Sequence, residues 1–101
     1  MKIKILGLDY DIKFAENENI DGLYGEIIHK KNLIRLNKEY SLERQKESLL
    51  HEVGHAINVE LILKLNEDTI SRLSKGLYQI IVDNPHIFSY SLSEKNKKEK
   101  K

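Results

Sequence analysis

Hydrophobic and polar positions change rhythm once along this chain, from a period of two to a period near 3.6. Ile3 and Ile5 alternate with lysines, Gly7 punctuates, and Tyr10, Ile12 and Phe14 alternate again, which predicts a β-hairpin. Glu16 to Gly22 is a polar connection. A second pair of strands follows over Leu23 to His29 and Leu33 to Leu36, separated by the turn-forming triplet Lys30-Lys31-Asn32. The helical rhythm then takes over. Leu49, Leu50, Val53, Ile57 and Leu61 recur at helical spacing, with Ser41 as N-cap, Glu43 in the first turn and an end near Leu63. Ile70, Leu73, Leu77, Ile80 and Ile81 predict a second helix from Asn66, its cap, to Val82. Asp83-Asn84-Pro85 stops it, because the residue before a proline is pushed out of the helical region. Phe88, Tyr90 and Leu92 alternate and suit a short last strand or packing on the sheet, and Ser93 to Lys101 reads as a charged, solvated tail.

The expected architecture is therefore α+β: a small antiparallel or mixed sheet of two N-terminal hairpins, followed by two helices, in one domain over residues 1–92. A chain of 101 residues has room for one small domain, burying roughly two thirds of its unfolded surface. Composition narrows the setting. The formal net charge is +1 with 33% charged residues of both signs, so no nucleic-acid stripe is expected. The absence of cysteine removes disulfides and thiol ligands and fits a reducing compartment. Met1 to Leu6 is too short and too alternating for a signal peptide, and no run approaches membrane-spanning length, so the expectation is a cytoplasmic protein without a membrane partner.

Chemistry enters at His51-Glu52-Val53-Gly54-His55, an instance of H-E-x-x-H. Two histidines four apart on a helix lie about 40° apart around its axis, so both imidazoles reach one Zn²⁺. Glu52 sits beside the metal and can take a proton from a water whose pKa the metal lowers, which is hydrolytic chemistry. Chance would produce the pattern in roughly 2% of shuffled chains of this composition, and the helical context lowers that further. With His51 at 0°, the aliphatic stripe centres near about 220° and the histidines fall opposite it. Gly54 costs about 1 kcal/mol relative to alanine inside a helix, so a close backbone approach is expected there.

A catalytic zinc site normally has three protein ligands, so a third must be found. An extended motif would place histidine at 61 and glycine at 58; Leu61 and Asn58 exclude it. Glu60 projects at about 180° from His51, away from a metal. Glu67 and Asp68 open the second helix. With Ile70 at 0°, Glu67 projects near about 60°, alongside Ser74 and Tyr78 on the flank of the stripe, and Asp68 near about 160° with Arg72, Lys75 and Gln79. The first position borders the core, so Glu67 is preferred over Asp68. The competing reading is that both acids complement the helix dipole. His29 and His86 are isolated outside candidates. Tyr78 is weighed as an oxyanion stabiliser, against simple packing of its ring.

These residues carry a resemblance. Gly7 and Tyr10, Gly25-Glu26-Ile27, the block Leu49 to Ile57, and Leu73 through Gly76-Leu77-Tyr78 to Asp83-Asn84-Pro85 resemble the small phage- and prophage-borne zinc metallopeptidases, a minimal zincin-like group related to the ImmA/IrrE-type peptidases. The resemblance implies a curved, largely antiparallel sheet leading into a two-helix active-site unit, with His51 and His55 on zinc, Glu52 as base and an acidic ligand from the second helix. The chain departs from ImmA-type proteins where they resemble one another around E-x-E-A-N-x-F-A; here Asn66 to Ser74 reads NEDTISRLS. The expected function is zinc-dependent hydrolysis of a protein or peptide substrate, with a partner domain as an option for completing the cleft, since small peptidases often need one. Two other readings stand beside it: a zinc-stabilised binding module, such as a phage-encoded adaptor or inhibitor without turnover, and an interaction domain in which the motif is chance.

Overall fold

Alternation in the first fifteen residues closes as a hairpin of β1 (Lys2–Ile5) and β2 (Leu8–Ala15), in a computed structural model that describes residues 1–87. Leu6 and Gly7, at φ of 50° and 85°, make the two-residue turn whose twist suits such a hairpin. Ile3 faces Tyr10 and Ile5 faces Leu8 across it. The second hairpin joins β3 (Gly25–Ile28) to β4 (Leu33–Asn37), with Ile27 opposite Ile34. Its loop is one 3₁₀ turn, His29–Lys31, reversed by Asn32 in the left-handed region at φ 47°. The hairpins are joined by parallel pairing of β2 with β4, giving the order β1-β2-β4-β3 in one mixed sheet with β1 and β3 at its edges. The stretch Phe88 to Leu92 and the tail from Ser93 lie outside the described residues.

Helix α1 (Leu42–Glu60) packs on one face of this sheet, and α2 (Glu67–Asp83) runs antiparallel to it and packs against α1. Ser41 caps α1 by accepting from the Arg44 amide, and Asn66 caps α2 by accepting from Thr69, as expected. α1 ends at Glu60, three residues before the expected Leu63. Asn58 is the cause: its carbonyl takes the Leu63 amide and its side chain takes the Leu65 amide, while Ile62 and Lys64 turn through positive φ of 53° and 60°. Sheet residues Ile5, Tyr10, Ile12, Ile34 and Leu36 form the core with Ala56 of α1.

Both helices bury a different face from the one their aliphatic stripes indicate. In α1 the covered residues are Ser48, Glu52 and Ala56, centred near about 100° from His51, whereas Leu49, Leu50, Val53 and Ile57 are half-buried and Leu61 is exposed. The reason is that α1 packs on two sides. The row from Ser48 lies against the sheet, with Ser48 beside Gly25, and Gly54 meets α2 on another side. The aliphatic residues average over both contacts. In α2 the covered row is Ile70, Ser74 and Tyr78, rotated by about 70° from the stripe that Leu73, Leu77 and Ile80 share with Ile70 and Ile81. Leu73, Leu77, Ile80 and Ile81 are between 43% and 55% exposed. Gly54 fulfils the expected close approach, since a Cβ there would stand 2.6 Å from Ser74 Oγ and 3.2 Å from Ile70 Cγ2. Gly76 has no such reason: a Cβ there would meet nothing within 4 Å, although glycine costs about 1 kcal/mol inside a helix.

Candidate metal centre and cleft

His51 and His55 occupy one side of α1, and the first turn of α2 faces them because Gly54 lets the helices approach. Glu67 bridges the pair. One of its carboxylate oxygens lies 2.8 Å from His51 Nε2 and the other 2.7 Å from His55 Nε2. The two Nε2 atoms are 3.1 Å apart, with the rings inclined at 67°. With a carboxylate oxygen within 2.8 Å of each, both nitrogens can donate to Glu67 rather than to one another. Nitrogens sharing a tetrahedral zinc at 2.0–2.1 Å stand about 3.3 Å apart, so the donor set fits such an ion. His51, His55 and Glu67 are the group of donors among the described residues that could hold a metal.

The other sequence candidates are placed elsewhere. Asp68 pairs with Arg72 at 3.1 Å on the solvated face, as its projection indicated. Glu60 lies beside the phenol of buried Tyr10, under the sheet side of α1. His29 is exposed in the β3–β4 loop and His86 lies in the turn after α2, and neither joins the donor group. Tyr78 is buried, and its hydroxyl donates to Glu43 Oε2 at 2.6 Å, which pushes its pKa up to about 12. The packing reading of Tyr78 is therefore the correct one, and the hydroxyl is committed to the start of α1.

Glu52 is only 6% exposed. Burial pushes its carboxyl up to about 7, and the carboxylates of Glu67 and Glu26 add to the effect. Burial likewise holds the His55 imidazole below its ordinary value, against the opposing attraction of Glu67 and with help from His51. Low basicity keeps that ring neutral, which is the state a metal ligand needs.

Glu52, His51 and Glu67 line a cleft of about 420 Å³ between the two helices and the β3 end of the sheet. Leu23, Tyr24 and Gly25 form its far wall. A Cβ on Gly25 would crowd the Arg35 carbonyl and Leu36 of β4 at 3.2 Å, and would meet Ser48 of α1 at 3.5 Å, so glycine eases the pairing of β3 with β4 beneath α1. Tyr24 is held by an edge contact with Tyr40 at 4.5 Å and by the Arg44 guanidinium 4.9 Å over its ring. Asn37, fully buried, organises the approach: its amide donates to Asn17 Oδ1 and the Leu23 carbonyl, and its oxygen accepts from the Glu39 amide.

Two positions that contact the candidate site or its wall escaped the sequence reading. Ser71 Oγ lies 3.4 Å from Glu67 Oε1 and 3.5 Å from His51 Nδ1, behind the donors. Its spacing of four from Glu67 was the available signal. Asn37 offered none, because a polar residue ending a strand reads as a turn.

The IrrE N-terminal-like domain, the Peptidase M78 family, matches the chain over residues 4–80. No curated protein and no solved structure matches it. That match takes in the end of β1, the other three strands, all of α1 and most of α2, including each of the three donors and Glu52, and the chain therefore belongs to the IrrE N-terminal-like family of M78 peptidases.

Proposed function

We propose that the chain is a zinc-dependent metallopeptidase whose metal is held by His51, His55 and Glu67 and whose general base is Glu52. The observation that carries this reading is the convergence of Glu67 on both imidazoles of the H-E-x-x-H helix, beside a cleft of about 420 Å³ that Glu52 also lines. A zinc ion bound there supplies a Lewis acid that acidifies water and polarises a peptide carbonyl. Glu52 takes the proton from the attacking water and passes it to the leaving amine. Its raised pKa suits the metal-free site, and a cation alongside favours its ionised, basic form. Ser71 holds the rotamers of Glu67 and His51. Three protein donors with Glu67 64% exposed leave an open position for substrate, which favours turnover over a closed structural clamp. A phage- or prophage-encoded, cytoplasmic role belongs to the same proposal and rests on the sequence resemblance.

Zinc content per chain, measured by mass spectrometry on tag-free protein, tests the site. About one equivalent is expected in the wild type and in Asp68→Ala, with loss in His51→Ala and a strong reduction in Glu67→Ala. Equal zinc in Glu67→Ala and Asp68→Ala would reject Glu67 as ligand. For catalysis, Glu52→Gln should keep its zinc and lose peptide cleavage by at least about 100-fold.

A further inference from the structure

We propose that the end of the cleft remote from the histidines is a carboxylate subsite, where Arg44 and Lys75 hold an acidic group of the substrate about three residues from the bond that is cleaved. Naming that group as part of a substrate rests on the peptidase reading of the metal centre. Arg44 of α1 and Lys75 of α2 line the same cleft as His51, Glu52 and Glu67. Arg44 precedes His51 by seven residues, which sets it about 10 Å along α1 and within about 20° of the same face. Lys75 follows Glu67 by eight residues, about 12 Å along α2. Because the helices run antiparallel, both displacements lead to the same end of the cleft. An extended peptide rises about 3.3 Å per residue, so about three residues span the distance from a carbonyl at the metal.

Neither cation is committed elsewhere. Among the described residues Arg44 and Lys75 form no ion pair, whereas Arg35 pairs with Glu26 and Arg72 with Asp68. Arg44 is nonetheless held in place. Its guanidinium stands 4.9 Å over the Tyr24 ring, Tyr24 lies edge-on to Tyr40 at 4.5 Å, and the Tyr40 hydroxyl donates to the Gly22 carbonyl at 3.2 Å. A guanidinium ordered on an aromatic face keeps its fork of N–H donors for a planar acceptor with two oxygens, and little side-chain entropy remains to be lost on binding. Against the two cations stands Glu47, half-buried on α1, so the lining of that end keeps a positive surplus. The metal end carries Glu52 and Glu67 instead. The charges therefore favour a peptide that lies with its carboxylate toward Arg44 and Lys75.

NMR titration of the tag-free full chain, freed of metal and chelator by dialysis, tests the subsite apart from catalysis. The probe is an acetylated, amidated alanine–serine peptide with a central aspartate, compared with the same peptide carrying asparagine. The aspartate peptide should bind at least about tenfold more tightly and shift the amides around Arg44 and Lys75. Arg44→Gln and Lys75→Gln should each remove most of that preference, and Arg44→Lys, which keeps the charge without the fork, should retain part of it. Both positions are exposed on helices, so the melting temperature should stay that of wild type. Lys46→Gln, exposed on α1 and outside the cleft lining, should leave the preference unchanged. A third peptide that ends in a free carboxylate at the central position separates the sources: affinity equal to the aspartate peptide assigns the subsite to a chain terminus, and weaker affinity assigns it to an acidic side chain. Equal binding of the aspartate and asparagine peptides, or a preference that survives both glutamine variants, overturns the proposal. Zinc-loaded protein then tells the two readings apart. Cleavage of both peptides with equal kcat/KM would overturn the subsite and leave the peptidase standing, whereas no cleavage with the binding preference intact would leave a carboxylate site on a chain that is not a peptidase.

Discussion

Glu52 is a carboxyl group held where water is scarce, and that has a consequence for stability before any catalysis. Its pKa is about 7 in the fold against 4.5 for the free group, so between those values the folded, metal-free protein binds more protons than the unfolded chain. Stability must therefore fall as pH rises through that window, by about 3 kcal/mol at most. His55, with a lowered pKa, contributes in the opposite sense near pH 6.5. Comparing wild type with Glu52→Gln in chelator removes that shared term. The glutamine variant should melt higher than wild type at pH 8, with the gap closing toward pH 4.5; a constant gap would show that the Glu52 carboxyl is not burdened by burial. At this scale the sequence was legible wherever helix geometry alone decides: residues four apart share a face, so His51 and His55 had to converge, and the angular position of Glu67 already separated it from Asp68. It was silent on Ser71, and for Tyr78 it favoured packing without naming the partner, because a projection angle does not say which group stands opposite. Glu43 stands there.

The helices and strands follow local rules closely, and their partners do not. Caps at Ser41 and Asn66, the stop at Pro85 and the two alternating pairs were all readable. The parallel pairing of β2 with β4 was not, since alternation reports one buried face and says nothing about which strand lies alongside. The buried faces of α1 and α2 were displaced for a related reason. A helix packed on two sides spreads its aliphatic residues over both, and their mean direction points between the contacts. Gly54 marks the closer of these contacts. Gly54→Ala should destabilise the protein by about 1–3 kcal/mol in urea unfolding despite alanine's higher helix propensity, because Ile70 and Ser74 must yield. Adding Ser74→Gly should restore part of the loss; no recovery would place the strain at Ile70 alone.

For the whole molecule, the proposed ion joins two helices that otherwise meet at Gly54 and at the hydrogen bond of Tyr78 to Glu43. Zinc at a thousand times its dissociation constant should add about 4 kcal/mol to unfolding, and chelation should lower the melting temperature accordingly. A melt indifferent to zinc and chelator would argue against a site in the folded state. Asn37 does comparable work for the opposite wall of the cleft. Its three partly buried side-chain hydrogen bonds tie the 16–24 connection to the entry of α1, so Asn37→Ala should cost about 2–4 kcal/mol.

The order of assembly follows from where the paired residues lie along the chain. His51 and Glu67 belong to one helical hairpin with a short connection, whereas the central pairing of the sheet joins Asp11 to Leu33 across an entire intervening strand. The local helical contacts are expected to form before the parallel pair, although loop closure alone separates the two by only about 0.3 kcal/mol. Zinc should then accelerate refolding in stopped-flow experiments, whereas slower unfolding with unchanged refolding would put the sheet first. A site that forms ahead of the sheet gives the cation a part in folding as well as in the finished fold, with the metal gathering the helices against which the strands then close.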